Sequence, residues 1–168
     1  MQIDNILNDS NEMLLHAYEK RPGSSNYSRL MHLCRCRYSS PYYSSMKNMI
    51  ELYNNAIESK VNGRSAKEMI LDFVRNFDPD INDISLLNSG RNMKFVVDSD
   101  RFPDKIVDLS SYGEGIIRIF EMALCFSSCR NGVLLIDELE TGIHYSMLVS
   151  FTEFIQRMAE IFNVKTQL

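Results

Sequence analysis

Along this 168-residue chain the apolar positions change their period twice, and each change marks a different kind of element. Met46, Met49, Ile50, Tyr53 and Ile57 recur at the spacing of one helix face, which predicts an amphipathic helix ending near Asn62-Gly63. Ser65 followed by Glu68 has the spacing of a capping box. It opens a second helix with Met69, Ile70, Phe73, Val74 and Phe77 on its inner face, and Asp78-Pro79 stops it. The period then falls to that of a strand. Ile81 to Leu87 and Met93 to Val97 flank the turn-rich Asn88-Ser89-Gly90-Arg91-Asn92, the pattern of a β-hairpin. Lys105 to Leu109 reads as a further short strand.

The last third is the most regular. Ile116 to Phe126 is almost wholly apolar, so this helix is expected to be buried all round. After a turn at Asn131-Gly132, Val133-Leu134-Leu135-Ile136 is an unbroken apolar run of strand length, the mark of a central parallel strand covered on both faces. A helix follows with Met147/Leu148, Phe151, Phe154/Ile155, Met158 and Ile161/Phe162 as its stripe, and Val164 to Leu168 begins another strand. Helix, strand, helix, strand in this order predicts an α/β parallel arrangement. Upstream, Asn11 to Glu19 reads as a short helix. Lys20 to Ser45, with Pro22, Gly23, Pro41 and many serines, is expected to be loop-like.

Composition narrows the function classes. With 45% apolar and 24% charged residues the chain is an ordinary globular protein of a size that buries a core. A net charge of -4 argues against nucleic-acid binding by the chain as a whole. No apolar run approaches the ~20 residues of a membrane span, and the N-terminal MQIDNILNDSNEM lacks the build of a signal peptide. The expectation is a cytoplasmic protein with no membrane partner. Two of the four cysteines, Cys125 and Cys129, fall in apolar helical sequence, which favours reduced thiols over a disulfide framework. His32-x-Cys34-x-Cys36 has half the spacing of a zinc site but lacks a second pair. Between Lys20 and Tyr43, Lys20, Arg21, Arg29, Arg35 and Arg37 interleave with Tyr27, Tyr38, Tyr42 and Tyr43. That loop suits nucleic-acid phosphates and stacking, or a protein partner, or plain solvation, and the residues leave these open.

Two stretches carry chemistry. In LSSYGEGIIRIF, Leu109 to Phe120, small and polar residues stand directly before apolar helix formers. Gly113 and Gly115 each cost a helix about 1 kcal/mol relative to alanine. What they give in return is a bare backbone entrance, with Tyr112 as its one bulky side chain, suited to close approach of an anion. The second stretch is Asp137-Glu138, at the carboxyl end of the apolar strand, where ligands bind in open α/β sheets. An aspartate there can hold Mg²⁺ through its waters, and an adjacent glutamate can orient or deprotonate the water that attacks a γ-phosphate. Alone, the pair is a weak signal, because many buried strands end in acids.

Together these stretches carry a family resemblance. Ser111-Tyr112-Gly113-Glu114-Gly115 resembles the signature loop of ABC-type ATPases, the Ser-Gly-Gly-Gln/Glu element that caps the γ-phosphate of ATP bound to the opposite protomer. Leu134-Leu135-Ile136-Asp137-Glu138 resembles a Walker B strand with its catalytic glutamate. The continuation Leu139-Glu140-Thr141-Gly142-Ile143-His144 is similar to the form found in AAA-type ATPases related to the OLD (overcoming lysogenization defect) family, where it replaces the D-loop of transporters. The resemblance runs from roughly Met69 to Leu168. It implies an α/β fold, a partial P-loop NTPase domain of the ABC-ATPase kind. Its sheet would be mostly parallel and flanked by helices, with an antiparallel hairpin and a helical insertion. Residues 1–64 would be the insertion segment and 65–168 the C-terminal part of the ATPase domain.

The resemblance also implies roles. ATP and Mg²⁺ would be the cofactors. Ser111, Gly113, Glu114 and Gly115 would bind nucleotide, Asp137 would serve Mg²⁺ through water, and Glu138 would be the catalytic base. Thr141, Gly142 and His144 would form the D-loop at the interface of an ATP-sandwiched homodimer. The relatives imply DNA-linked or antiphage work, with DNA or a nuclease as further partner. Departures from the pattern are equally plain. The Walker A loop G-x-x-x-x-G-K-[ST] is not in these residues, and neither the Thr-x-His switch nor the toprim nuclease domain of OLD proteins is. This implies a fragment or a remnant that is inactive alone. The alternative is a non-catalytic dimerisation or interaction module that regulates a partner nuclease. His144 stands where transporters carry an aspartate, which puts its interface role in doubt.

Overall fold

The computed structural model describes residues 36–39, 46–90 and 92–167. The first element, β1 (Cys36–Ser39), lies in the stretch expected to be loop-like, so that expectation is corrected at these four residues. Helix α1 (Met46–Glu58) follows and ends four residues short of Asn62-Gly63. It buries Met49, Leu52, Tyr53 and Ala56, while Met46 and Ile57, at the ends of the expected stripe, are exposed. Asn62-Gly63 instead turns a tiny hairpin between β2 (Lys60–Val61) and β3 (Arg64–Ser65). Both turn residues have positive φ, 51° and 83°, as a tight two-residue hairpin turn requires. Helix α2 (Ala66–Arg75) starts after Ser65 as expected, but Ser65 makes no side-chain cap. Its backbone is extended because it also pairs in β3. Asp78-Pro79 then ends the helical run, and Met69, Ile70, Phe73 and Val74 are buried as its spacing predicts.

Strands β4 (Ile81–Ser89) and β5 (Asn92–Ser99) form the expected hairpin, with a tighter turn than the sequence suggested. Ser89 pairs with Asn92, so two residues make the reversal, and Gly90 supplies the positive φ. β6 (Val107–Asp108) adds antiparallel to β5. A 3₁₀ turn, Leu109–Tyr112, leads into α3 (Gly113–Ser128), and β7 (Val133–Ile136) follows. A second 3₁₀ turn, Tyr145–Met147, opens α4 (Leu148–Phe162), which ends at left-handed Asn163 before β8 (Lys165–Gln167).

β7 lies between β1 and β8 and runs parallel to both, which makes it the central strand of its sheet. Among the described residues this parallel sheet has three strands, while β2–β3 and β4–β5–β6 are antiparallel. A mostly parallel sheet was expected, and the described strands do not make one. α1, from the segment read as an insertion, shares the core with the rest. Its Tyr53 packs edge-on to Phe95 of β5 at 5.3 Å between ring centroids, and Phe95 packs on Phe120 of α3 at 5.4 Å. The buried Tyr53 hydroxyl donates to the Ile84 carbonyl at 3.1 Å, so its burial leaves no bare donor. On the other side, Phe154 of α4 meets Phe73, Phe77 and Phe151 at 5.5–5.7 Å. α3 runs through the middle of this core, buried from Ile116 onward on most of its surface.

Candidate functional site

The site is built where α3 begins and β7 ends. Asp108 sits at the start of the 3₁₀ turn and accepts from the Ser110 backbone N–H at 3.0 Å and from the Ser110 hydroxyl at 2.7 Å. Those bonds from Ser110, with Lys94 nearby, hold the Asp108 carboxyl below its ordinary range. Asp108 is thereby the capping residue of this turn. Ser111 is exposed.

Gly113 has φ 83° and ψ 166°, a backbone region that is almost the preserve of glycine. A Cβ added there would meet nothing within 4 Å, so backbone conformation rather than space demands glycine. Glu114 is exposed in the first turn of α3, where its charge favours the helix terminus. Gly115 has ordinary helical freedom, but a Cβ on it would lie 3.6 Å from the Gly142 carbonyl oxygen. That single approach brings the two sequence motifs together: the first turn of α3 lies against the loop that leaves β7.

Asp137 and Glu138 are both exposed at the carboxyl end of β7. Glu138 has φ 49°, a left-handed conformation uncommon for a residue with a side chain. Its carboxylate accepts from the Thr141 hydroxyl at 3.1 Å, and its carbonyl accepts from the Thr141 backbone N–H at 3.1 Å. Gly142 turns with φ 83°, and Ile143 tucks into the core beside the partly buried Leu139. Exposed His144 begins the second 3₁₀ turn, its Nδ1 sharing a 2.8 Å hydrogen bond with the Ser146 hydroxyl and its ring 4.4 Å from that of Tyr145. The structure thus joins Gly115 to Gly142 and Glu138 to Thr141, while His144 is engaged with its own neighbours.

The donor set suits a hard cation. Mg²⁺ takes one or two carboxylates and completes its shell with water and phosphate oxygens, and an exposed aspartate at a strand end offers that. Among the described residues no group of three or more His, Cys, Asp or Glu is placed to hold a metal by itself. His32, Cys34 and most of the basic, tyrosine-rich loop 20–43 lie outside the described residues, as does the helix expected at Asn11 to Glu19. No described helix is long and apolar enough to cross a membrane.

Sequence reasoning missed two features. The nearly apolar α3 carries a buried ion pair, Arg118 to Glu121 at 3.3 Å, whose i, i+3 spacing was legible. The other is Tyr112, whose hydroxyl donates to buried Ser99 on β5 while Arg101 lies 5.4 Å over its ring. No local spacing announces that contact, because 13 residues separate Tyr112 from Ser99.

A family model described as "AAA domain, putative AbiEii toxin, Type IV TA system" matches residues 24–168. It begins well before Met69, where the motif resemblance starts. No curated protein matches the chain.

Proposed function

From the premise that this chain belongs to that AAA domain family, we propose that it serves as the signature, Walker B and D-loop part of an ATPase. The P-loop NTPase class of fold and a nucleotide-linked function come with the family. The finer reading is ATP binding and hydrolysis by an ATP-sandwiched homodimer. In it Ser111 and the first-turn backbone of α3 at Gly113 and Gly115 face the γ-phosphate held by the opposite protomer. Asp137 serves Mg²⁺ through water, Glu138 positions and deprotonates the attacking water, and Thr141, Gly142 and His144 line the protomer interface. The observation that carries this is the approach of Gly115 to the Gly142 carbonyl oxygen. It packs the first turn of α3 against the loop that follows Asp137-Glu138, so the signature-like entrance and the D-loop-like segment lie side by side, as one surface turned to a partner protomer would need. The family description names a toxin of a toxin–antitoxin system, and we extend this to DNA-linked or antiphage defence with DNA or a nuclease as partner, on the motif resemblance alone.

The test is Glu138→Gln in the ATPase assembled with a phosphate-gripping loop. The substitution keeps size and most hydrogen bonding but removes the base. Hydrolysis is expected to fall by at least ~10²-fold, with ATP still bound and dimers accumulating around it. Hydrolysis at the parent rate overturns the assignment. One observation favours a second reading, a non-catalytic dimerisation module regulating a nuclease: the Glu138 carboxylate is engaged by Thr141. In that case nucleotide-driven association persists with no hydrolysis in the parent protein.

A further inference from the structure

The bare entrance to α3 has one bulky residue, Tyr112, next to the glycine that most needs to be open. Its ring is folded away. The Tyr112 hydroxyl bonds to Ser99, which is 1% exposed at the end of β5, and the Arg101 guanidinium lies over the ring face. Arg101 is itself anchored: one of its terminal nitrogens donates to both Asp78 carboxylate oxygens at 3.0 and 2.9 Å and approaches Asp80 at 3.4 Å. Asp78 is 8% exposed just past the end of α2, while the Arg101 side chain that reaches it is about half exposed (47%). Three separate pieces of chain, the α2 end, the β5 end and the 3₁₀ turn, therefore converge on one phenol ring.

We propose that Tyr112, Ser99 and Arg101 are positioning residues that clamp the entrance of α3 open. By holding the ring on β5, the clamp keeps it off the backbone of Gly113 to Gly115 and fixes the direction in which Ser111 and the helix terminus point. This inference rests on the reading of that entrance as the phosphate-facing surface. Released from Ser99, the ring would turn about its own side-chain torsions and shield the approach it now leaves free. Its contribution is orientation, and it touches no reacting atom.

A thiol at position 111 reports the orientation without nucleotide. A cysteine near a helix N-terminus has a lowered pKa, so the Ser111→Cys variant of the full chain is expected to alkylate with iodoacetamide along a pH profile shifted below that of an ordinary thiol. The parent chain gives the background of its own cysteines. Adding Tyr112→Phe or Arg101→Gln is expected to move the profile upward and to slow alkylation at pH 7 roughly threefold, the size of a half-unit change in thiol pKa. Arg101→Lys keeps a charge opposite Asp78 and is expected to restore part of the shift. Ser99→Ala serves where Tyr112→Phe loses expression. An unchanged profile in Tyr112→Phe, Arg101→Gln and Ser99→Ala alike overturns the clamp. Failure of the phosphate-facing reading shows differently: millimolar ATP–Mg then leaves Ser111→Cys alkylation unaltered in the assembled ATPase, while the profile shift remains.

Discussion

The turn entering α3 takes its hold from distant parts of the chain: Tyr112 on Ser99, Arg101 on Asp78 and Asp80, and Lys94 beside Asp108. The loop leaving β7 is tied by short-range bonds instead, Thr141 to Glu138 and Ile143 to Glu140, with Met147 to His144 closing the turn. Both loops contain a positive φ, borne without steric strain by Gly113 in one and at some cost by Glu138 in the other. The difference lies in what would have to break for each to move. Moving the entrance disturbs three elements and their packing. Moving the Glu138 carboxylate breaks one exposed hydrogen bond, and such a bond contributes about 1 kcal/mol or less. A fixed anion-facing turn beside an adjustable acid is a workable division, because the first must be preorganised and the second must change partners.

The comparison predicts where damage is greatest. Phe120, 1% exposed between Tyr53 and Phe95, fastens α3 beneath the entrance. Phe120→Ala is expected to cost about 3–5 kcal/mol in urea unfolding, the usual range for a buried phenylalanine. A loss below 1 kcal/mol would mean that the entrance is not founded on this core. Next in size is Gly113→Ala, expected to cost about 1–3 kcal/mol because alanine must enter a region nearly closed to side chains. Gly115→Ala is its contrast: a Cβ at 3.6 Å from the Gly142 carbonyl is an ordinary contact, so its thermal midpoint is expected to stay level or rise. Equal losses at the two glycines would erase the distinction between conformation and space.

Asp108 sharpens the comparison through pH. Its folded-state pKa lies below the ordinary value of 3.8, chiefly because of the Ser110 backbone N–H. Its ionised form therefore stabilises the fold above that ordinary value, and the stabilisation disappears as pH falls through the lower, folded value. Asp108→Asn is expected to flatten the acid limb of a stability–pH curve below about pH 4, the region of unperturbed carboxylate titration. An unaltered limb would remove Asp108 from the hold on the entrance. The smallest effect belongs to the β7 loop. Thr141→Val deletes the hydroxyl that Glu138 accepts from and is expected to change unfolding free energy by less than about 0.5 kcal/mol, as exposed substitutions do. A loss above 2 kcal/mol would show this loop to be as firmly held as the entrance.

Periodicity and turn chemistry carried much of this structure into the sequence. Four apolar residues in a row between Gly132 and Asp137 sufficed for a central parallel strand, but the full burial expected of it is met only at Leu134 and Ile136, while Val133 and Leu135 are half-buried. The paired glycines before an apolar helix likewise announced a helix entrance, because a side chain at Gly113 would be strained, whereas at Gly115 it would only touch the next loop. Tertiary structure alone decided the rest. Cys36–Ser39 has no strand-like apolar run, and it became a strand because β7 offered an open edge to pair with. Ser65 kept its capping-box spacing but lost the cap, because pairing with Lys60 holds its backbone extended. The fate of Tyr112 was settled by Ser99 and Arg101, and the meeting of Gly115 with Gly142 by the packing of α3 beside β7. A hydrogen bond or a close approach between residues far apart in the chain leaves no periodic trace, because it depends on where folding brings two surfaces and not on the order of residues along either one.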